Sequence, residues 1–249
     1  MKKNILLFTI IIITTACQDK AVRYNNSGDQ KFKLANLRGA IDDYNKAIEL
    51  DSNYAYAYYS RGSAKRLIND YKGAITDYTK AIELNSKDAN ADRYDDVLEN
   101  AKVYNSRGAA KMVIGDYEGA ITDYTKAIEL NPNWRIATES YTNRGNTKWF
   151  IYDYKGAIAD YNYAIELDSN NDYAYYSRGY AKYTLEDYRG SLADYNIAIK
   201  INSTYNTYYH NRGNLKYKLS DLNGACLDWS KAGELGRTDA YDSIKKHCK

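Results

Sequence analysis

Proline occurs once in the 249 residues, histidine twice and cysteine three times. So few imidazoles and thiols leave no His-rich or Cys-rich metal site to build. With no long Pro- or Ser-rich run, nothing reads as a disordered tail. An excess of one charge is missing too: 35 Lys and Arg stand against 32 Asp and Glu, so there is no basic footprint for nucleic acid. Catalytic signatures are equally lacking. No Gly-x-Ser-x-Gly, His-Glu-x-x-His, Gly-x-x-x-x-Gly-Lys or Cys-x-x-Cys occurs, and His210 and His247 stand alone. The expectation is a non-enzyme with no cofactor, no metal and no small-molecule substrate. What is abundant is tyrosine, 29 residues against three Phe and three Trp. With 44% apolar and 27% charged residues, the composition is that of an ordered chain able to bury a core.

Met1 to Cys17, MKKNILLFTIIIITTAC, places two lysines before an apolar stretch from Ile5 to Ile13 and then small residues. That is the order of a secretory signal, and the stretch is short of the ~20 apolar residues of a membrane span. Residues 1–16 are read as the signal peptide and 17–20 as a lipidated N-terminus with a short linker. Thr14-Thr15-Ala16-Cys17 resembles a bacterial lipoprotein lipobox, which implies lipid on Cys17. It departs from that pattern at Thr14, where Leu, Val or Ile is expected, and ordinary cleavage after Ala16 stays open. Cleavage before Cys17 takes the formal charge from +3 to +1, so lipid rather than a basic patch would anchor the protein. The expected location is the bacterial cell envelope, at the outer or inner membrane, with a soluble periplasmic or secreted protein as the alternative.

Glycine exposes an internal repeat. Gly28, Gly62, Gly108, Gly145, Gly179 and Gly213 each have a second glycine eleven residues on, at Gly39, Gly73, Gly119, Gly156, Gly190 and Gly224. Successive units are offset by 34, 46, 37, 34 and 34 residues. Apolar residues at 3–4 spacing predict an amphipathic helix, a break and a second amphipathic helix in each unit. Asn36, Asp70, Asp116, Asp153, Asp187 and Asp221 hold one register before the second helix, where each is a good N-cap. A glycine inside the first helix costs up to about 1 kcal/mol. Its recurrence predicts a close helix–helix approach against an alanine opposite.

An aromatic (Tyr24, Tyr58, Tyr104, Tyr141, Tyr175, Tyr209) precedes each first glycine, and alanine follows it at Ala40, Ala74, Ala120, Ala157 and Ala225, with Ser191 in the fifth unit. A second aromatic follows at Tyr44, Tyr78, Tyr124, Tyr161, Tyr195 and Trp229, then alanine at Ala47, Ala81, Ala127, Ala164, Ala198 and Ala232. This pattern resembles the tetratricopeptide repeat family, although only Pro132 keeps its closing proline. The resemblance implies an all-α chain, an α-solenoid of six helical hairpins in a right-handed superhelix, with a groove lined by the first helices. The repeats are placed at 21–54, 55–88, 101–134, 138–171, 172–205 and 206–239, with an insertion at 89–100 that lengthens a first helix. Residues 240–249 are read as a capping helix.

Four candidate features remain. Asp88, Asn90, Asp92, Asp96 and Glu99 match calcium-loop spacing, but Arg93 stands where the loop needs glycine, so a solvated acidic helix start is favoured. Arg61, Arg107, Arg144, Arg178 and Arg212 fall at the height of Asp77, Asp123, Asp160, Asp194 and Asp228 of their own units. They are read as structural pairs, with ligand binding by the arginines as the alternative. If Cys17 is lipidated, Cys226 and Cys248 remain as an even pair, a possible disulfide between the last second helix and an antiparallel cap. The family's groove face would carry Tyr56, Tyr59, Tyr173, Tyr176, Tyr180, Tyr183 and Tyr217, with Trp149, Phe150 and His210. The amides Asn25, Asn26, Asn105, Asn143, Asn146, Asn211 and Asn214 share that face. Rings supply contact area and amides can bond an extended backbone, so a protein or peptide partner is expected. The alternatives are an architectural subunit using the convex face, and a glycan-binding module.

Overall fold

The computed structural model describes residues 2–86, 94–130 and 134–248, with side chains from residue 17 onward and, in the helix opening at Tyr94, from residue 100. Asp88, Asn90, Asp92 and Pro132 lie outside the described residues, as do the side chains of Asp96 and Glu99. Among the described residues there are thirteen helices and no strand. The chain divides into two compact units, Met1–Pro132 and Asn133–Lys249. The first holds α1 (Lys2–Lys33), α2 (Leu37–Leu50), α3 (Ala55–Leu67), α4 (Tyr71–Asn85), α5 (Tyr94–Val113) and α6 (Tyr117–Leu130). The second holds α7 (Trp134–Phe150), α8 (Tyr154–Leu167), α9 (Asp172–Thr184), α10 (Tyr188–Ile201), α11 (Asn206–Lys218), α12 (Leu222–Glu234) and α13 (Ala240–His247). In each unit, three hairpins form between consecutive helices and stack in chain order; α13 closes on α12.

Residues 17–20, expected as a linker, are helical and continuous with α1. The extra residues before the fourth hairpin lengthen its first helix, so that α7 opens at Trp134 and buries Ile136, Ala137 and Thr138. α5 likewise opens ahead of residue 101, and Asn85 Nδ2 donates to Asn100 Oδ1 at 2.9 Å.

The six cap residues all work. Each accepts the backbone N–H of the second glycine three residues on, at 2.9–3.1 Å. This explains that glycine, because a Cβ on Gly73 would collide with the Asp70 carboxyl. The first glycine faces a ring rather than the expected alanine side chain. A Cβ on Gly62 would lie 2.9 Å from Tyr78 Cε1, with only the carbonyl of Ala74 nearby. Each hairpin turn also needs one left-handed residue, and five of the six are not glycine: Ala35, Asn69, Tyr152, Glu186 and Ser220, with φ of 58–66°. Asn69 and Asp70 N–H groups bond back to the carbonyls of Arg66 and Lys65, the Schellman pattern that satisfies the end of α3.

Across each hairpin runs a charged lattice. In the second, Arg61 is bidentate on Asp77, Nε to Oδ2 at 2.9 Å and Nη2 to Oδ1 at 2.7 Å, and Lys65 joins at 2.8 Å. Arg107, Arg144, Arg178 and Arg212 repeat this on Asp123, Asp160, Asp194 and Asp228, each with a second cation from Lys111, Lys148, Lys182 or Lys216. The arginine–aspartate pairs are therefore structural, as expected, and each guanidinium also lies 5.3–5.6 Å from the ring of the first framework tyrosine. The third guanidinium nitrogen reaches the preceding hairpin: Arg61 Nη1 to Asn45, Arg107 Nη1 to Thr79, Arg178 Nη1 to Asn162 and Arg212 Nη1 to Asn196, at 2.7–3.0 Å. The first hairpin substitutes Ser27 and Lys31 around Asp43. Burial pushes the Asp43 carboxyl up, but bonds from Lys31 and Ser27 and the charge of Lys46 outweigh it and hold it below the usual carboxylate range.

Cys226 and Cys248 form a disulfide, Cα atoms 5.8 Å apart across a separation of 22 residues. It ties α13 to α12, where Ala240 and Ile244 pack on Ala225, Trp229 and Ala232. Loop closure of this size contributes about 3 kcal/mol.

Two substitutions test these assignments by urea denaturation. Ala35→Gly should raise stability by about 1 kcal/mol by relieving a left-handed conformation. Asp194→Ala should cost about 3 kcal/mol, because it strands Arg178 and Lys182.

Candidate functional site

In the second unit, the first-helix face is a run of ring contacts. Trp149 lies 5.3 Å from Tyr180, Tyr180 stacks on Tyr176 at 6.4 Å, and Tyr176 meets Tyr173 at 6.2 Å. Tyr173, Tyr180 and Tyr217 are 43%, 37% and 44% exposed. Tyr176 is more enclosed, stacked on Tyr208 at 4.8 Å and Tyr195 at 5.8 Å. Its burial, with the hydroxyls of Tyr180 and Tyr173 adding, pushes its own pKa up to about 12. Tyr180, Tyr183, Tyr195, Asn211 and Asn214 enclose an uncharged cleft of ≈ 180 Å³. In the first unit, Tyr56 (41% exposed) and Tyr59, 6.2 Å apart, line a larger cleft of ≈ 370 Å³.

The amides expected to greet a ligand are mostly engaged within the protein. Asn146 Oδ1 accepts the Tyr161 hydroxyl at 2.8 Å, and Asn214 Oδ1 accepts the Trp229 indole N–H at 2.9 Å. Asn211 Nδ2 donates to the Tyr176 hydroxyl at 2.7 Å. Asn105 is buried, and Asn143 is half-buried with polar contacts of its own. The framework rings carry a polar tip that must be satisfied when buried, and in four repeats the residue after the first glycine supplies the partner: Asp29, Ser63, Asn146 and Asn214. His210 is also buried. Desolvation, reinforced by the Arg237 charge, holds its imidazole below the usual range and so neutral at pH 7. Phe150 is exposed and lies 5.5 Å edge-on to Trp149. Tyr183 is half-buried, 5.7 Å from Tyr188, and Tyr217 sits 4.3 Å from His247 of α13.

Tetratricopeptide-repeat models match residues 55–88 and 101–133, and a further TPR-repeat model matches 28–67 and 153–185. The chain belongs to the tetratricopeptide repeat family. Solved TPR folds resemble it closely in backbone and distantly in sequence. The structure titled as a functional characterisation of Pseudomonas aeruginosa pilF has 16% identity and TM-score 0.75, and covers 93% of this chain and 99% of that one. MamA protein has 22% identity and TM-score 0.62 over 74% and 93%. YrrB, titled a TPR protein with an unusual peptide-binding site, has 24% identity and TM-score 0.59 over 77% and 92%. At these identities the likeness is one of fold. No curated protein matches the sequence.

Within this TPR array the first-unit cleft adds residues that sequence reasoning passed over: Asp29, Lys33 and Arg66. A signal for one of them was present. Arg66 stands four residues after the first glycine, where the other repeats have Phe32, Met112, Trp149, Tyr183 and Tyr217. Tyr208 was also missed; it is buried and its hydroxyl donates to Asp172 at 2.9 Å.

If the amides serve the framework, Asn214→Ala, at an exposed position, should cost about 1–2 kcal/mol by leaving the Trp229 indole N–H unpaired. Chemical denaturation of the variant, followed by tryptophan fluorescence, checks this.

Proposed function

We propose that this TPR protein is an exported scaffold, held by lipid on Cys17 at a bacterial envelope membrane, that seats a peptide segment of a partner on the tyrosine face of its second unit. TPR chains are in general non-enzymatic protein-binding modules, which supports a binding role for this one. The observation that carries the finer reading is the run Trp149–Tyr180–Tyr176–Tyr173, in which Tyr176 is held by Asn211, Tyr195 and Tyr208 and its neighbours Tyr173 and Tyr180 stay exposed. Rings held this way offer contact area with little entropy left to lose on binding. The adjoining cleft is uncharged, which suits a backbone rather than an ionic side chain. YrrB, similar in fold, is described by its peptide-binding site, and that supports the choice of ligand.

The anchor is supported by the signal-like N-terminus and by Cys17, which is outside any disulfide. Ala21 is already fully buried, so the four helical residues from Cys17 hold the repeats roughly 6 Å from the lipid attachment.

Crosslinking and pull-down from membranes should recover a partner with the wild type and lose it with Tyr173→Ala/Tyr180→Ala, whose melting curve stays close to wild type. A partner retained by that variant overturns the tyrosine face as its seat. In the same fractions, Cys17→Ser should move the protein out of the membrane pellet; a variant that stays there contradicts the lipid anchor.

A further inference from the structure

The first-unit cleft differs in chemistry from the uncharged tyrosine face. Six of its residues set its character: Tyr56, Tyr59, Ser60, Asp29, Lys33 and Arg66. The repeat itself is the control. Arg66 is the one cation in a register otherwise filled by Phe, Met, Trp and Tyr, and Asp29 is the one charge in a register of Ser63, Ala109, Asn146, Tyr180 and Asn214. Neither serves the charged lattice, whose cations in this hairpin are Arg61 and Lys65. Arg66 Nε is buried and bonds nothing, and Arg66 makes no ion pair among the described residues. Arg66 as a whole is half-buried and bonds the Tyr78 hydroxyl, but an N–H of a cation that is buried without an acceptor is costly, so this edge of the cleft favours an anionic oxygen.

Asp29 narrows the choice. Its carboxylate is fixed by the Tyr44 hydroxyl at 2.8 Å and Asn25 Nδ2 at 3.2 Å; its remaining lone pairs can accept from ligand hydroxyls, and its charge disfavours a phosphate dianion more than a monoanion. Tyr56 and Tyr59, tilted by 46°, offer apolar faces, and the Ser60 hydroxyl adds a donor and an acceptor. At ≈ 370 Å³ the cleft is small among ligand pockets and suits one or two rings rather than an extended chain. We infer that this cleft is a binding site for an acidic sugar. Arg66 and Lys33 hold the sugar carboxylate, Asp29 and Ser60 take its hydroxyls, and the Tyr56 ring covers its C–H face.

Titration calorimetry on the full chain compares a galacturonic acid trimer with a neutral maltotriose, inorganic phosphate and a glutamate-rich peptide. The uronate should bind at least tenfold more tightly than each of the others. Arg66→Met, which restores the residue of the third repeat and so leaves the hairpin intact, should remove the preference for the acid over the neutral sugar. Tyr56→Ala should weaken both sugars together. Equal binding of acidic and neutral sugar, an unchanged preference in Arg66→Met, or tighter binding of phosphate or the acidic peptide would each overturn the assignment. The tyrosine-face reading does not enter this test.

Discussion

A carboxylate taken out of water survives only among donors that replace its hydration, and every repeat of this protein is arranged around that requirement. The six lattice aspartates are 4% exposed or less. Each sits on a second helix and takes its nearest cation from the first helix of its own hairpin. The aspartate thereby fixes how the two helices meet: in five of the six hairpins the guanidinium fork admits one geometry, and the lysine one turn later closes the other side. That fixed meeting brings the first glycine against a ring of the second helix, and the ring in turn needs an acceptor for its polar tip. Glycine and ring are therefore tied to the same helix–helix approach as the charge pairing.

Much of this was legible from spacing. The caps, the hairpins and the arginine–aspartate pairs all follow from local periodicity, and chain counting through a tight turn is reliable at that range. What spacing could not give was the partner of a side chain when two partners share a height. The first glycine was assigned to an alanine because alanine recurs opposite, whereas the atoms that crowd it belong to the aromatic sixteen residues on. The amides were assigned to a ligand because they share a face with the tyrosines, but Asn146 and Asn214 point into the hairpin and close the framework's hydrogen bonds. The left-handed turns went unread for a simpler reason. Only Gly115 announces such a turn, and the other five positions carry residues that ordinarily avoid it.

Sorting the tyrosines by what they touch divides the molecule into two surfaces of different character. In the second unit, rings at Tyr173, Tyr176 and Tyr180 support one another, and the cleft beside them holds no charge. In the first unit, a pair of rings shares its cleft with Asp29, Lys33 and Arg66. A repeat array builds such contrasts cheaply, because a position off the lattice can change without disturbing the hairpin that carries it.

The third guanidinium nitrogen gives the array a direction at four of the five lattice arginines. Arg61, Arg107, Arg178 and Arg212 all reach backward to an Asn or Thr of the preceding hairpin. On a ribosome or at an export pore the chain emerges N-terminus first, so the neutral acceptor is always in place before the guanidinium that needs it. Growth in that order never exposes a desolvated cation to an empty neighbour. Shortening the chain from its C-terminal side would leave only an uncharged amide or hydroxyl to be rehydrated, while shortening it from the other side would uncover a guanidinium cut off from one of its partners.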